Sequence, residues 1–154
     1  MEHIEDAAGV RGWLIGSILT FHHYGSITVD TARTVARINA RAFATAPRLG
    51  VMVVLEPKLS VPDSESREVF SRAAKESEPH VAAMAHVVLG QGFAAATTRA
   101  VIAGLSAFTR LRHSQKVFAT IPEAGLWLAP HIELAPGSVA DVVGRIEGLV
   151  GSPR

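Results

Sequence analysis

The chain has 154 residues, which is the usual size of one domain built around one hydrophobic core. Its 15 basic and 14 acidic side chains leave a formal net charge of +1, so no overall field would attract nucleic acid or anionic lipid. The absence of cysteine excludes disulfides, thiolate metal sites and thiol nucleophiles. We therefore expect a single domain over residues 1–154 that binds no nucleic acid.

The N-terminal residues predict a cytoplasmic protein. Residues 1–6 are acidic, where a secretory signal would be basic and then apolar. The apolar stretch from Trp13 to Phe21 is about nine residues long, against the 20 or so needed to span a bilayer. We expect no export signal and no membrane insertion.

Predicted strands and helices alternate along the chain. The strands are a short one over 4–10, a single strand or hairpin arm over 13–24, and further strands over 51–55, 81–89 and 116–120. The helices run from Asp30 as N-cap to Ala46, between Ser64 and Pro79, from Phe93 onward, over 122–128, and over 138–150. Helical crossovers favour parallel strands and an initial hairpin is antiparallel. This order predicts an α/β fold, a small mixed sheet of four to five strands with four to five helices packed on it.

Two of the helices carry more detailed signals. Ser138 and Asp141 predict a capping box at the start of the last helix. In the helix that starts at Phe93, small and apolar side chains recur along one side at helical spacing, the pattern of a side that packs on a core. These residues are Phe93, Thr97, Ala100, Val101, Gly104, Leu105 and Phe108.

Several short motifs carry a family resemblance. They are the Gly25 turn before the first helix, residues 51–55 followed by Pro62 and Arg67, the Gly-x-Gly-Phe of residues 90–93, residues 116–118, Glu123-Ala124 and Trp127-Leu128. Together they resemble bacterial proteins of the anti-sigma-factor-antagonist type, the STAS fold. The likeness covers roughly residues 10–130, to which the last helix adds about 138–150. It implies a non-catalytic regulatory protein that acts as a protein–protein switch controlled by a kinase.

The resemblance also indicates where a regulatory phosphorylation would fall. In the family the modified serine lies in an Asp-x-Ser stretch between a central strand and the next helix. The matching stretch here contains Ser60 and Ser64 and lacks the Asp-x-Ser motif. Capping of the next helix is the competing interpretation of these serines.

Two further groups of residues are candidate contacts for an anion or a partner. Gly90 and Gly92 satisfy a loose dinucleotide-binding pattern, but no acidic residue follows through position 121 to hold a ribose, so a tight turn is the better interpretation. Arg33, Arg37 and Arg41 form a stripe on the first helix, which suits phosphate, anionic lipid or an acidic partner. A solvated helix face is the competing interpretation.

The remaining polar residues predict no catalytic, cofactor or metal site. His22 and His23 point to opposite faces of a strand and cannot chelate one ion together. Our leading hypothesis is a non-catalytic regulatory or scaffold protein that binds another protein of unidentified kind, with a homodimer as one form of this. The alternative is a module for a small molecule, nucleotide or lipid that uses residues 90–93 together with the arginines of the first helix.

Overall fold

The computed structural model describes residues 2–57, 62–108 and 111–153, and for residues 105–108 it describes the backbone alone. Within these residues there are six strands and five α-helices. The strands are β1 (Glu2–Ala7), β2 (Val10–Ile15), β3 (Ile18–His23), β4 (Leu49–Leu55), β5 (Val81–Val88) and β6 (Ser114–Phe118). The helices are α1 (Val29–Thr45), α2 (Ser64–Ser77), α3 (Phe93–Phe108), α4 (Ile121–Leu128) and α5 (Pro136–Val150).

The six strands form one mixed sheet in the order β1-β2-β3-β4-β5-β6. The pairs β1/β2 and β2/β3 are antiparallel, and β3 to β6 are parallel. The predicted α/β class and mixed sheet are therefore confirmed, with one strand more than expected. The extra strand arises at Gly16, whose φ of +58° suits a tight turn, so residues 13–24 belong to two paired strands.

The sheet separates two apolar layers. Helices α1 and α2 cover one face, where Ile38 is fully buried against strand residues such as Leu19 and Val51. Helices α4 and α5 cover the other face, where Leu128 and Ile146 are fully buried. Because crossovers between neighbouring parallel strands are right-handed, α3 lies on the same side of the sheet as α1 and α2.

The helix starts differ from three sequence predictions. The N-cap of α1 is Thr28 rather than Asp30, because the Thr28 hydroxyl accepts the backbone N–H of Thr31. Helix α5 begins at Pro136, whose fixed φ suits the first turn, and its N-cap side chain makes no hydrogen bond. The predicted capping box is therefore wrong, and Asp141 instead pairs with Arg145 at 3.1 Å.

Helix α3 has the opposite orientation to the one predicted. Phe93 and Val101 are 88% and 47% exposed, while Ala95 on the opposite side is fully buried. Arg99, also on the inner side, donates to the carbonyl oxygens of Val88 at 2.9 Å and Gly90 at 2.6 Å. These bonds fix the helix with its small and apolar side outward. Of the predicted residues on that side, Leu105 and Phe108 have side chains outside the described part of the chain.

Candidate functional site

A buried polar network crosses one face of the sheet. Arg11 on β2 and His22 on β3 are opposite each other in the strand register, and Glu56 directly follows β4. Arg11 Nη2 lies 3.1 Å from His22 Nδ1, and His22 Nε2 lies 2.8 Å from Glu56 Oε1. His22 is completely buried and Arg11 is 5% exposed, whereas the Glu56 side chain is 30% exposed. The network therefore runs from the interior to the surface at the carboxyl ends of the parallel strands.

The geometry assigns the proton on His22. A guanidinium can only donate, so Nδ1 of His22 accepts from Arg11, and Nε2 carries the proton that is donated to Glu56. The nitrogen that would act as a general base is thus occupied by Arg11. The arrangement is suited to holding three strands together rather than to abstracting a proton.

Aromatic rings and the segment that follows α5 lie around the same guanidinium. The Arg11 Cζ atom lies 5.2 Å from the ring centre of Trp13 and 5.5 Å from that of Tyr24, within the range of cation–π attraction. The Tyr24 hydroxyl donates to Asp6 at 2.6 Å, and Arg11 Nη2 lies 3.5 Å from the backbone oxygen of Ser152. Sequence reasoning missed this network, although an Arg and a His inside two apolar strands were a signal for a buried polar pair.

The segment between β4 and α2 corresponds to the place of the predicted phosphosite. Ser60 lies outside the described residues. Ser64 is the first residue of α2, and its Oγ accepts from Arg67 Nη2 at 3.2 Å. The cap itself is Asp63, which accepts the Ser66 backbone N–H at 2.8 Å, and this bond lowers the pKa of the Asp63 carboxyl. Ser64 is thus exposed at the helix start, where an added phosphate would be tolerated electrostatically.

The Gly90 to Gly92 segment forms a tight turn between β5 and α3. Gly90 and Gly92 have φ angles of +92° and +91°, which other residues rarely adopt. A Cβ on Gly90 would lie 3.2 Å from Cγ of Pro57, so this turn packs against the segment that follows β4. Since the Gly90 carbonyl accepts a hydrogen bond from Arg99, the backbone of this turn helps to orient α3.

The arginine stripe on α1 lies near the β1 edge of the sheet, far from the Gly90 turn. Arg37 pairs with Glu5 on β1 at 2.7 Å, and Arg41 donates to the backbone oxygen of Ile4 at 2.6 Å. Arg33 pairs with Asp30 within its own helix at 3.4 Å. Strands β1 and β5 are four positions apart in the sheet, about 19 Å at the usual strand spacing. The structure therefore does not bring the stripe together with Gly90 and Gly92.

Burial favours the neutral form of three histidines, His23, His86 and His113. Burial, together with the nearby His22 and His86, lowers the pKa of His23 from 6.5 to about 4. Desolvation also lowers the pKa of His86 and of His113. His23 Nδ1 has no hydrogen-bond partner among the described residues, and its ring packs 6.3 Å from that of Phe70 on α2. The His23 ring acts as a core side chain at neutral pH, and acid, by protonating these histidines, favours the unfolded chain.

The outward side of α3 is an exposed apolar surface, and two of the three exposed large hydrophobic side chains in the described part of the chain, Phe93 and Val101, lie on it. We call it the α3 outer face, and its residues are Phe93, Thr97, Ala100, Val101 and Gly104. None of the five is ionisable, and all are exposed. Solvent exposure of a large aromatic ring within such a face is typical of an interaction surface.

A shallow groove lies between α1 and α2. It has a volume of about 290 Å³, and Phe43 and His80 stack in its wall with ring centres 5.2 Å apart. Small side chains such as Ala40 and Ala73 form much of the remaining lining.

Across residues 2–57, 62–108 and 111–153, no group of three or more acidic or histidine side chains is placed to hold a metal ion. In the same ranges no helix has the length and hydropathy to cross a membrane.

Comparison with known proteins finds a solved structure that shares this fold. No protein-family model and no curated protein matches the chain. A solved structure that does match is an uncharacterized protein of the DUF3478 family, with a SpoIIAA-like fold, from Shewanella loihica PV-4. The TM-score is 0.53 at 12% sequence identity, and the match covers 81% of this chain and 98% of that one. The chain therefore has a SpoIIAA-like fold, as its resemblance to the STAS proteins predicted.

Proposed function

We propose that this protein is a cytoplasmic, bacterial, non-catalytic regulatory or scaffold protein that acts by binding another protein. The observation that carries the proposal is the α3 outer face, where Phe93 is 88% exposed on a helix that has the composition of a buried one. A helix that is apolar on all sides is normally covered. Burying such a face against a partner is the simplest way to remove it from water.

The polar network supports a non-catalytic role. His22, which is buried between Arg11 and Glu56, has its acceptor nitrogen held by the Arg11 guanidinium. A substrate would have to break that bond before His22 could take a proton. The network therefore favours a structural function for the residues at this end of the sheet.

The position of Ser64 supports regulation of the same region. Ser64 starts α2, seven residues after Pro57, whose ring lies next to Gly90 in the turn that orients α3. A phosphate at this helix start would add two negative charges or slightly fewer at the edge of the sheet where β4 and β5 both end, which is also the edge where α3 begins. Phosphorylation could thereby change how α3 is presented to a partner.

A pull-down from native cells tests the proposal. The tagged wild-type chain serves as bait, with Phe93→Ser as the surface variant and Ala140→Ser, an exposed position on α5, as the matched control. We expect a specific partner with the wild type and the control, and its loss with Phe93→Ser. Equal recovery with both variants would contradict binding through the α3 outer face.

The groove between α1 and α2 favours a second candidate function, a module that binds a small molecule, nucleotide or lipid. The groove has about the minimum volume of a ligand pocket, and its aromatic wall at Phe43 and His80 offers a stacking surface. A ligand that binds only the folded chain must raise the melting temperature. A thermal-shift screen of nucleotides, phosphates and lipids with an Ala40→Trp variant, which fills the groove, tests this function, and a flat screen removes it.

A further inference from the structure

We propose that the α3 outer face binds a second copy of this chain, through antiparallel pairing of α3 with the same helix of the partner subunit. The inference rests on the proposed function, because it names the occupant of the same face. The pairing is inferred from three properties of the exposed residues, which are their spacing along the helix, the sizes of their side chains and their lack of charge.

The spacing of the exposed residues is that of a helix–helix seam. Positions 93, 97, 100 and 104 are separated by four, three and four residues, which is the alternation of a heptad seam. These positions share one side of α3, opposite the buried Ala95 and the tethered Arg99. A seam of this kind packs against another helix at a shallow crossing angle.

The side-chain sizes along this seam are self-complementary in one direction only. When two copies of α3 run antiparallel about a twofold axis at the middle of the seam, Phe93 faces the partner subunit's Gly104, and Thr97 faces the partner subunit's Ala100. The largest side chain then meets the smallest. A Cβ built on Gly104 meets no described atom within 4 Å, so the space that a side chain would take at this position is open, and we call this space the recess. In a parallel pair the two Phe93 rings would face each other and the recess would stay empty.

The charge distribution favours a second copy over a charged partner. The face contains no ionisable residue, so two copies can meet without repulsion, and an acidic or basic partner would find no counter-charge on it. The guanidinium of Arg99, on the opposite side of the same helix, points inward to the carbonyls of Val88 and Gly90. A seam of two repeated layers is smaller than a standard interface, so we expect a weak dimer with a Kd on the order of 10–100 µM.

Sedimentation equilibrium on the full chain up to about millimolar concentration tests the pairing. We expect a monomer–dimer equilibrium in the wild type, weakened at least about tenfold by Phe93→Ala, because a twofold interface loses the contact twice. Gly104→Leu should weaken it similarly, although it makes the surface more apolar, because it fills the recess that receives Phe93. The double variant Phe93→Ala/Gly104→Phe exchanges the large and small positions and should restore the dimer.

Ala140→Leu on α5 is the control, since it adds the same kind of apolar surface outside the seam and should leave the equilibrium unchanged. Because the chain has no cysteine, crosslinking gives an independent measurement. With oxidised glutathione as the oxidant, Thr97→Cys mixed with Ala100→Cys should form a mixed disulfide faster than either variant forms its own dimer. Faster self-crosslinking of each variant would overturn the antiparallel pairing.

Three results would overturn the homodimer. They are a wild-type chain that stays monomeric, stronger association of Gly104→Leu, and binding of monomers to phosphatidylcholine–phosphatidylglycerol vesicles that Gly104→Leu strengthens. The proposed function fails separately. If the wild type is monomeric but a cellular partner is lost with Phe93→Ser, the second copy is excluded and the binding role of the face remains.

Discussion

Acidification should destabilise this protein through His23. Its pKa is about 4 in the folded chain, because the ring is buried and His22 and His86 lie nearby, against 6.5 in the unfolded chain. As the pH falls below 6.5, the unfolded chain binds a proton at this position that the folded chain does not bind. The free energy of unfolding therefore falls from about pH 6.5 down to about pH 4, and the loss from His23 is about 2 kcal/mol at pH 5.

Replacing His23 with Leu isolates this effect. Leu has a similar volume, does not titrate, and removes the buried Nδ1 that has no partner in the described part of the chain. Urea unfolding of both proteins at about pH 7.5 and pH 5 gives the change in unfolding free energy with pH for each. We expect this change to be about 2 kcal/mol smaller in His23→Leu than in the wild type. An equal change in both proteins would refute the assignment of acid sensitivity to His23.

Three further pairs of substitutions test the fold and the polar network by the same unfolding measurement. Gly125→Ala should lower the free energy of unfolding by about 1–3 kcal/mol, because its Cβ would collide with α5. Gly148→Ala, which has open space around it, should be neutral or stabilising. Equal stabilities of the two variants would contradict the packing of α4 on α5. Thr28→Ala should cost about 1 kcal/mol and Asp30→Ala less, since Thr28 is the N-cap; the reverse order would restore the sequence prediction. Glu56→Leu should lower the free energy of unfolding by about 1–3 kcal/mol, because it leaves the Nε2 proton of His22 without its acceptor. Glu56→Gln keeps an oxygen at this place and should lower it less. Equal losses of stability in the two variants would show that charge alone matters.

The elements themselves could be predicted because they depend on local patterns. The apolar run 51–55 is typical of a strand that is buried on both faces, and β4 indeed lies third from one edge of the sheet. The division of residues 13–24 was missed because two strands joined by a two-residue turn have the same composition as one longer strand. Gly16 was the available signal, since it stands where the turn needs a positive φ.

The sequence by itself determined the α/β class, the mixed sheet and the existence of a continuous apolar side on α3, since hydrophobic periodicity and turn residues act over a few neighbouring positions. Only the tertiary structure decided which side of α3 faces solvent. That helix is apolar almost all round, so its periodicity does not identify the inner side, and the Arg99 bonds to the end of β5 do. The polar network and the distance between the arginine stripe and Gly90 likewise depend on strand register and strand order, which join residues far apart in the chain.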